Sequence, residues 1–414
     1  MKPIRIRPGY IPYTLAAAVL VTAGSAFVKA DYERAAMICL ALLAPVIIAA
    51  TLDRIEFDGH RLIHRGPLAF LLAKLFRVRR ELTVSEIETV ATESTTFNVA
   101  AGDSRMTYRT RISGPGVEIL VRSHRATYVP FVKQLFRAAG PRKLDPRSFE
   151  LFEYLESNAA VKGSPVLKDE IKAMPVSRLR RIANALKLAG RLSQASSYFR
   201  VAYEKEPRNP ALLYEMSRFF RTSAATEDAK LMQRSDACLR LAARLAGTQA
   251  DLLERIGEAF FERLDYKRAT ECFRRALDLD PARFRANIGL AEIALRDGKL
   301  AHVAHYYHAA AANDDAAIAR LARREAEYYE RLMSDDDFLE AELRRIRVSN
   351  QLRWARRLAM LVFFLAWLAA GIAGRFYSFI EEFGWSLMAT SGLLWCAATL
   401  ATRWFRRRSA YPDR

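Results

Sequence analysis

The sequence contains few cysteines and none of the short motifs that identify common catalytic sites. Its 414 residues include only four cysteines, Cys39, Cys238, Cys272 and Cys396, and none has the C-x-x-C spacing of a metal or redox site. A secreted fold held together by disulfides is therefore not expected. A glycine-rich phosphate-binding loop, G-x-S-x-G and H-E-x-x-H are also missing. We accordingly predict no enzyme activity, no cofactor and no metal site.

Histidine is scarce as well, with six in the chain. His302, His305 and His308 lie three residues apart on one predicted helix, so two of them could share a divalent metal. No carboxylate or cysteine in the nearby sequence completes a ligand set, and surface or packing roles are favoured.

Charge is absent from four long stretches of the chain, which are residues 8–28, 35–52, 358–374 and 383–402. Crossing ~30 Å of hydrocarbon takes roughly 17–25 helical residues, so each stretch is long enough to span a membrane. The sequence therefore predicts two transmembrane hairpins, at residues 1–52 and 358–404. Because these spans contain no ionisable side chain, they favour anchoring over transport.

Positive charge is concentrated beside the predicted spans. The formal net charge is +19, and three purely basic clusters precede the first span, precede the third and follow the fourth. By the positive-inside rule, both termini and residues 53–357 are expected to face the cytoplasm. The excess of arginine over lysine favours a bacterial chain, and thus the inner membrane. The charge is then an orientation signal, and nucleic acid is not an expected partner. Residues 405–414 form a basic tail, and cleavage of the first span as a signal peptide is left open.

Residues 53–147 have the alternating pattern of β-strands. Asp58-Gly59 and Gly114-Pro115-Gly116 are strong turn signals between short apolar runs. Residues 128–137 then have helical spacing. The stretch Leu82-Thr-Val-Ser-Glu-Ile-Glu-Thr-Val90 resembles the strand entry of bacterial pleckstrin-homology-like domains. The resemblance implies a small β-barrel that contacts proteins or a lipid surface, and both possibilities stay open.

An internal repeat occupies the middle of the chain. Ten positions from Leu179 to Pro207 recur with the same offsets 74 residues later, from Leu253 to Pro281. The pattern resembles the tetratricopeptide repeat, whose 34-residue unit contains two helices. A degenerate copy between them and a fourth copy after them imply an α-solenoid of about four repeats over residues 176–317. The adjoining predictions are a linker at residues 148–175 and capping helices at residues 318–357.

Tetratricopeptide arrays generally bind peptides or partner helices in a groove lined by the first helix of each repeat. The resemblance places ten residues of this chain there: Arg180, Asn184, Lys187, Tyr214, Arg218, Arg221, Asp251, Glu254, Glu258 and Glu262. The groove is basic at one end and acidic at the other, so it would orient a peptide of matching polarity. Arg180 and Asn184 resemble two members of the carboxylate clamp of this family, whereas Glu215 and Asp251 stand where the clamp needs Asn and Lys.

These features together predict a mainly α membrane protein, in which two anchors hold a small β-barrel domain and a helical solenoid. The expected function is an inner-membrane scaffold that recruits protein or peptide partners through the groove, for assembly of an envelope or secretion complex. Two alternatives stay open: an anionic-lipid-responsive regulator that uses the β domain, and a non-catalytic subunit of a transport or polysaccharide biosynthesis machine. The partner and the oligomeric state are not indicated by the sequence.

Overall fold

The computed structural model describes residues 3–7, 11–29, 32–67, 70, 79–98, 104–123, 127–157, 168–224, 228–372 and 378–408. They divide into two units. The first contains Met1–Ile6, Phe57–Leu62 and Leu82–Ser334, and the second contains Arg7–Glu56, Ile63–Glu81 and Asp335–Arg414. Residues 158–167 of the predicted linker and residues 409–414 of the predicted basic tail lie outside the described residues.

The described strands form two separate sheets. Their bounds are β1 (Ile4–Ile6), β2 (Arg54–Phe57), β3 (Arg61–Arg65), β4 (Glu81–Thr83), β5 (Thr89–Asn98), β6 (Ser104–Gly114) and β7 (Val117–Arg122). One sheet has the order β1-β2-β3-β4 and the other the order β5-β6-β7. The prediction of one small closed barrel was therefore wrong, because the hydrogen-bonded ladder does not continue from β4 to β5.

Both predicted turns connect strands. The carboxylate of Asp58 accepts hydrogen bonds from the backbone N–H groups of His60 and Arg61, at 2.8 and 2.7 Å, between β2 and β3. This is an Asx-type turn, in which a short acidic side chain replaces a backbone acceptor. In the antiparallel pair of β6 and β7, Gly114 lies opposite Val117, and Gly116 has the positive φ of 70° that a tight turn requires.

Helix α3 (Tyr128–Ala139) covers the apolar side of these strands in the first unit. Its residues at helical spacing, including Phe131 and Phe136, are fully buried. The ring of Phe131 meets that of Phe57 edge-on at 6.0 Å. The predicted helix at residues 128–137 is thus confirmed, and its amphipathic spacing is the reason that it forms here.

A helical array follows. After α4 (Pro146–Ser157) come α5 (Lys168–Ala173), α6 (Val176–Leu188), α7 (Leu192–Lys205), α8 (Pro210–Ser223), α9 (Ala229–Leu245), α10 (Ala250–Phe261), α11 (Tyr266–Leu279), α12 (Phe284–Arg296), α13 (Leu300–Ala310) and α14 (Ala316–Ser334). The pair α10–α11 begins 74 residues after the pair α6–α7, helix for helix. This arrangement is compatible with helical repeats next to a small β domain.

The periodic positions of the sequence form the core of the array. Phe199, Phe273 and Tyr307 occupy matching places on α7, α11 and α13, and each is at most 2% exposed. A Cβ added at Gly257 would lie 2.7 Å from the Phe273 ring, and one added at Gly289 would lie closer still. The ring of Phe273 therefore packs against the backbones of α10 and α12, which small residues at these crossings permit.

The second unit contains α1 (Ile11–Lys29), α2 (Glu33–Leu52), α15 (Asp336–Ile372) and α16 (Ser378–Arg408). These helices include the described residues of the four stretches predicted to be transmembrane spans. Among the residues that the structure describes, however, none of the helices combines the length and the apolar character needed to cross a membrane. The predictions of transmembrane hairpins, of multi-pass inner-membrane localisation and of a cytoplasmic orientation for residues 53–357 were therefore wrong.

Candidate functional site

The candidate site is the groove, which we define as the surface formed by the ten predicted residues. Nine of them lie on α6, α8 and α10, and the tenth, Glu262, directly follows α10. In the structure this groove contains a helix of the same chain, α4, within the first unit. The sequence predicted only a linker in this region.

Local interactions explain why α4 forms. Pro146 occupies the first position of α4. The backbone N–H that proline lacks would make no hydrogen bond within the helix at this position. The carboxylate of Asp145 accepts hydrogen bonds from the N–H groups of Ser148 and Thr92, at 2.8 and 3.1 Å. One face of α4 then packs on the β domain, where Phe152 meets Phe136 edge-on at 6.2 Å. The opposite face is left for the groove.

Glu150 of α4 makes the central contact with the groove. Its carboxylate lies 2.5 Å from Nε of Arg218 and 3.4 Å from Nζ of Lys187. Burial alone would raise the pKa of Glu150, but the two cations more than offset this effect and hold its pKa below the ordinary value. Burial likewise disfavours the charge of Arg218, and the adjacent Glu150 raises the pKa of that guanidinium instead. Two groove cations therefore neutralise one acid of α4.

An aromatic contact lies beside this ion pair. The guanidinium of Arg255, on α10, is 4.1 Å from the ring centre of Phe149. A cation over an aromatic face is attracted by the ring quadrupole. Arg147, at the start of α4, adds a longer ion pair of 3.7 Å with Glu262. An acidic and an aromatic side chain of α4 thus meet basic residues of three groove helices, α6, α8 and α10.

At the α6 end of the groove, two side chains of the helical array form an ion pair with each other. Arg180 donates two hydrogen bonds to the carboxylate of Glu215, at 2.8 and 2.5 Å. Arg180 is therefore held by a bidentate, charge-assisted pair within the array. Tyr214 is only 3% exposed, and the guanidinium of Arg218 lies 6.0 Å from its ring centre. The amide oxygen of Asn184 has no hydrogen-bond partner among the described residues.

The acidic residues at the other end of the groove contact the start of α12. Arg283 forms ion pairs with Asp251 and Glu254, and the carboxylate of Glu254 also accepts a hydrogen bond of 3.0 Å from the N–H of Ala286. Arg221 donates to the backbone carbonyl of Glu262 at 3.5 Å. The contacts of Asp251 and Glu254 stabilise the turn from α11 to α12, whereas the Arg221 bond joins α8 to the end of α10. Asp251 and Glu254 thus have structural partners in this state.

Glu258 is the exception in this acidic part. Its closest cation is Arg285, at 3.9 Å. Burial raises the pKa of Glu258 to about 8, against the lowering effect of Arg285. This carboxyl group is therefore largely a neutral acid at pH 7, and it can donate a hydrogen bond.

The structure thus brings most of the ten predicted residues together along one surface, but with partners that the sequence did not indicate. Glu150, Phe149, Arg255 and Arg285 were not predicted. A signal for α4 was present in Asp145-Pro146 with Ser148, a helix-start pattern, but no local pattern pairs Glu150 with residues 37 and 68 positions later.

The described part of the chain contains no group of three or more His, Cys, Asp or Glu side chains that could hold a metal ion. His308 pairs with Glu330 at 2.7 Å, without further ligands in that region. Comparison with known proteins does not assign the chain to a family, because no family model and no curated protein matches it.

Proposed function

We propose that this protein is a non-catalytic scaffold whose helical array binds helical protein segments in its groove. In this proposal the array is of the tetratricopeptide type, and the strands with α3 form a domain of the pleckstrin-homology-like type. The regular 74-residue offset of the helix pairs supports the first assignment. The two strand sheets covered by one helix support the second.

The observation that carries the proposal is the contact of Glu150 with Arg218 and Lys187. Together with Phe149 under Arg255, it indicates the kind of segment that the groove accepts: a helix with adjacent aromatic and acidic residues. A partner protein that presents such a helix competes with α4 for the same cations. Because α4 is covalently attached, its effective concentration is on the order of millimolar. A partner helix therefore has to bind tightly enough to displace α4 at that concentration.

The proposal is tested with a labelled peptide of residues 146–157 added to the full chain. In a variant with Phe149→Ala and Glu150→Ala, the attached helix competes poorly. We expect this variant to bind the peptide at least tenfold more tightly than the unchanged chain, by fluorescence anisotropy. A peptide with Glu150→Lys is the matched control, and it should not bind.

The groove side is tested by adding Arg218→Glu to the double variant, which should abolish peptide binding. Circular dichroism establishes that each variant is folded. If the folded double variant binds neither peptide, or both equally, the groove does not recognise this chemistry and the proposal is wrong.

A further inference from the structure

A second feature of the first unit is a cavity of about 270 Å³ beside the acidic end of the groove. It lies between the segment before α4, the end of α10 and the start of α12. Glu258 and Arg285 line it, together with the apolar side chains of Phe261, Phe284 and Ile288. The volume is close to that of small-molecule pockets, which are mostly apolar with a few polar groups.

The two charged residues of the cavity do not satisfy each other. Their closest atoms are 3.9 Å apart, too far for a direct hydrogen bond. Oε2 of Glu258 and Nη2 of Arg285 have no hydrogen-bond partner among the described residues. A buried donor or acceptor without a partner is destabilising, so a ligand that bonds to both groups is favoured.

The charges around Arg285 determine whether the favoured ligand is an anion or a cation. The groups that face Glu258 are Arg285 from α12, Glu254 from α10, Arg218 from α8 and Asp145 before α4, and burial raises the pKa values of Glu258, Glu254 and Asp145. Glu258, the nearest carboxyl group, is largely neutral at pH 7 and does not supply Arg285 with a full counter-charge. Asp145 accepts hydrogen bonds from Ser148 and Thr92, and Glu254 pairs with Arg283.

Two other acids of the cavity are already paired with other cations. Glu88 accepts from Arg324 at 3.3 and 3.4 Å, and Glu262 pairs with Arg147 at 3.7 Å. An added anion would therefore meet a guanidinium with an unpartnered Nη2 and one neutral acid that can donate a hydrogen bond.

We propose that this cavity binds a small amphipathic monocarboxylate. The ligand carboxylate accepts hydrogen bonds from Arg285 and Glu258, and its hydrocarbon part contacts Phe261, Phe284 and Ile288. The site goes beyond the scaffold function and does not depend on displacement of α4. An amine is disfavoured there, because it would lie against the guanidinium.

The test uses benzoate as the probe, with benzylamine and benzamide as matched compounds, and isothermal titration calorimetry on the full chain. We expect benzoate to bind more tightly than either compound. Its affinity for the unchanged chain should fall at least tenfold as the pH rises from 7 to 9, because an ionised Glu258 repels the carboxylate. Glu258→Gln keeps a neutral donor, so its benzoate affinity should remain constant over this range.

Arg285→Gln should weaken benzoate binding at least tenfold. If this variant fails to fold, the pH dependence of benzoate affinity in the unchanged chain still tests the proposal. The proposal is overturned if benzoate does not bind, if benzylamine binds more tightly, or if benzoate affinity is the same at pH 7 and pH 9.

Discussion

Glu150 and Arg218 form an ion pair of 2.5 Å in which the two side chains are only 17% and 13% exposed. The pair joins α4 to α8. Removing one partner of a buried pair leaves an uncompensated charge, which costs about 3–5 kcal/mol. We expect Glu150→Gln, which retains the shape of the side chain, to lower the free energy of unfolding by about 3 kcal/mol in urea denaturation followed by circular dichroism.

Glu118→Gln is the matched control, because Glu118 pairs with Arg111 at 3.1 Å with 55% and 44% exposure. An exposed pair contributes about 0–1 kcal/mol. The pKa of Glu150 is held below its ordinary value, so its contribution is present at neutral pH and is lost as the pH falls through that lowered pKa. Equal losses in the two variants at pH 7 would contradict the interpretation.

A second prediction concerns Phe273, whose ring lies against Gly257 and Gly289. A Cβ at position 257 would be 2.7 Å from the ring, and overpacking of this kind costs about 1–3 kcal/mol. Alanine also gains about 1 kcal/mol over glycine within a helix. We therefore expect Gly257→Ala to lower the free energy of unfolding by a net ~0–2 kcal/mol.

Phe273→Leu provides the control for this clash. In that background the added methyl group has more room, and Gly257→Ala should be neutral or stabilising. A double-mutant cycle measures the difference as a coupling energy. A coupling near zero would show that the Phe273 ring is not what excludes a side chain at position 257.

The array illustrates what local sequence can predict. Phe199 and Phe273 recur at a fixed offset because each helix pair repeats the same crossing, and both are buried. Period and residue size are sequence properties, so the faces of α6, α8 and α10 could be assigned. The ten groove residues were assigned from the resemblance to the tetratricopeptide repeat, which adds a binding face to that periodicity.

The contents of the groove could not be predicted in this way. The partners of Glu150 are far along the chain, and many other acids could have met them. The separation of β4 from β5 into two sheets also depends on strand pairing, which the alternating pattern leaves undetermined.

The third prediction is a pH dependence produced by Glu258, whose pKa is raised to about 8 by burial. Below the ordinary glutamate pKa, the folded and unfolded states are both protonated and this residue has no effect. Between that value and about pH 8, only the unfolded state ionises, so the folded state becomes progressively less stable. Glu258→Gln removes this effect.

The thermal midpoint of Glu258→Gln should therefore match that of the unchanged chain near pH 4.5 and exceed it increasingly up to pH 8. One pKa unit corresponds to about 1.4 kcal/mol, so the rise to about 8 corresponds to a full difference on the order of 5 kcal/mol. Glu271→Gln, at an exposed position of α11, serves as the control. A constant difference across this range would indicate that Glu258 ionises normally.

The fourth prediction uses Cys272 as a reporter of opening in the array. This thiol is 3% exposed, and burial raises its pKa to about 11. Since the thiolate is the reactive form, both the pKa and the burial slow its reaction. In a variant with the other three cysteines replaced by alanine, Ellman's reagent at pH 8 should react at least about a hundredfold more slowly in the native state than in urea.

A variant with Cys272→Ala and Arg268→Cys places the single thiol at a half-exposed position of the same helix and should react rapidly in both states. Similar native rates for the two thiols would mean that α11 separates readily from its neighbours, and the core packing around Phe273 would then be wrong.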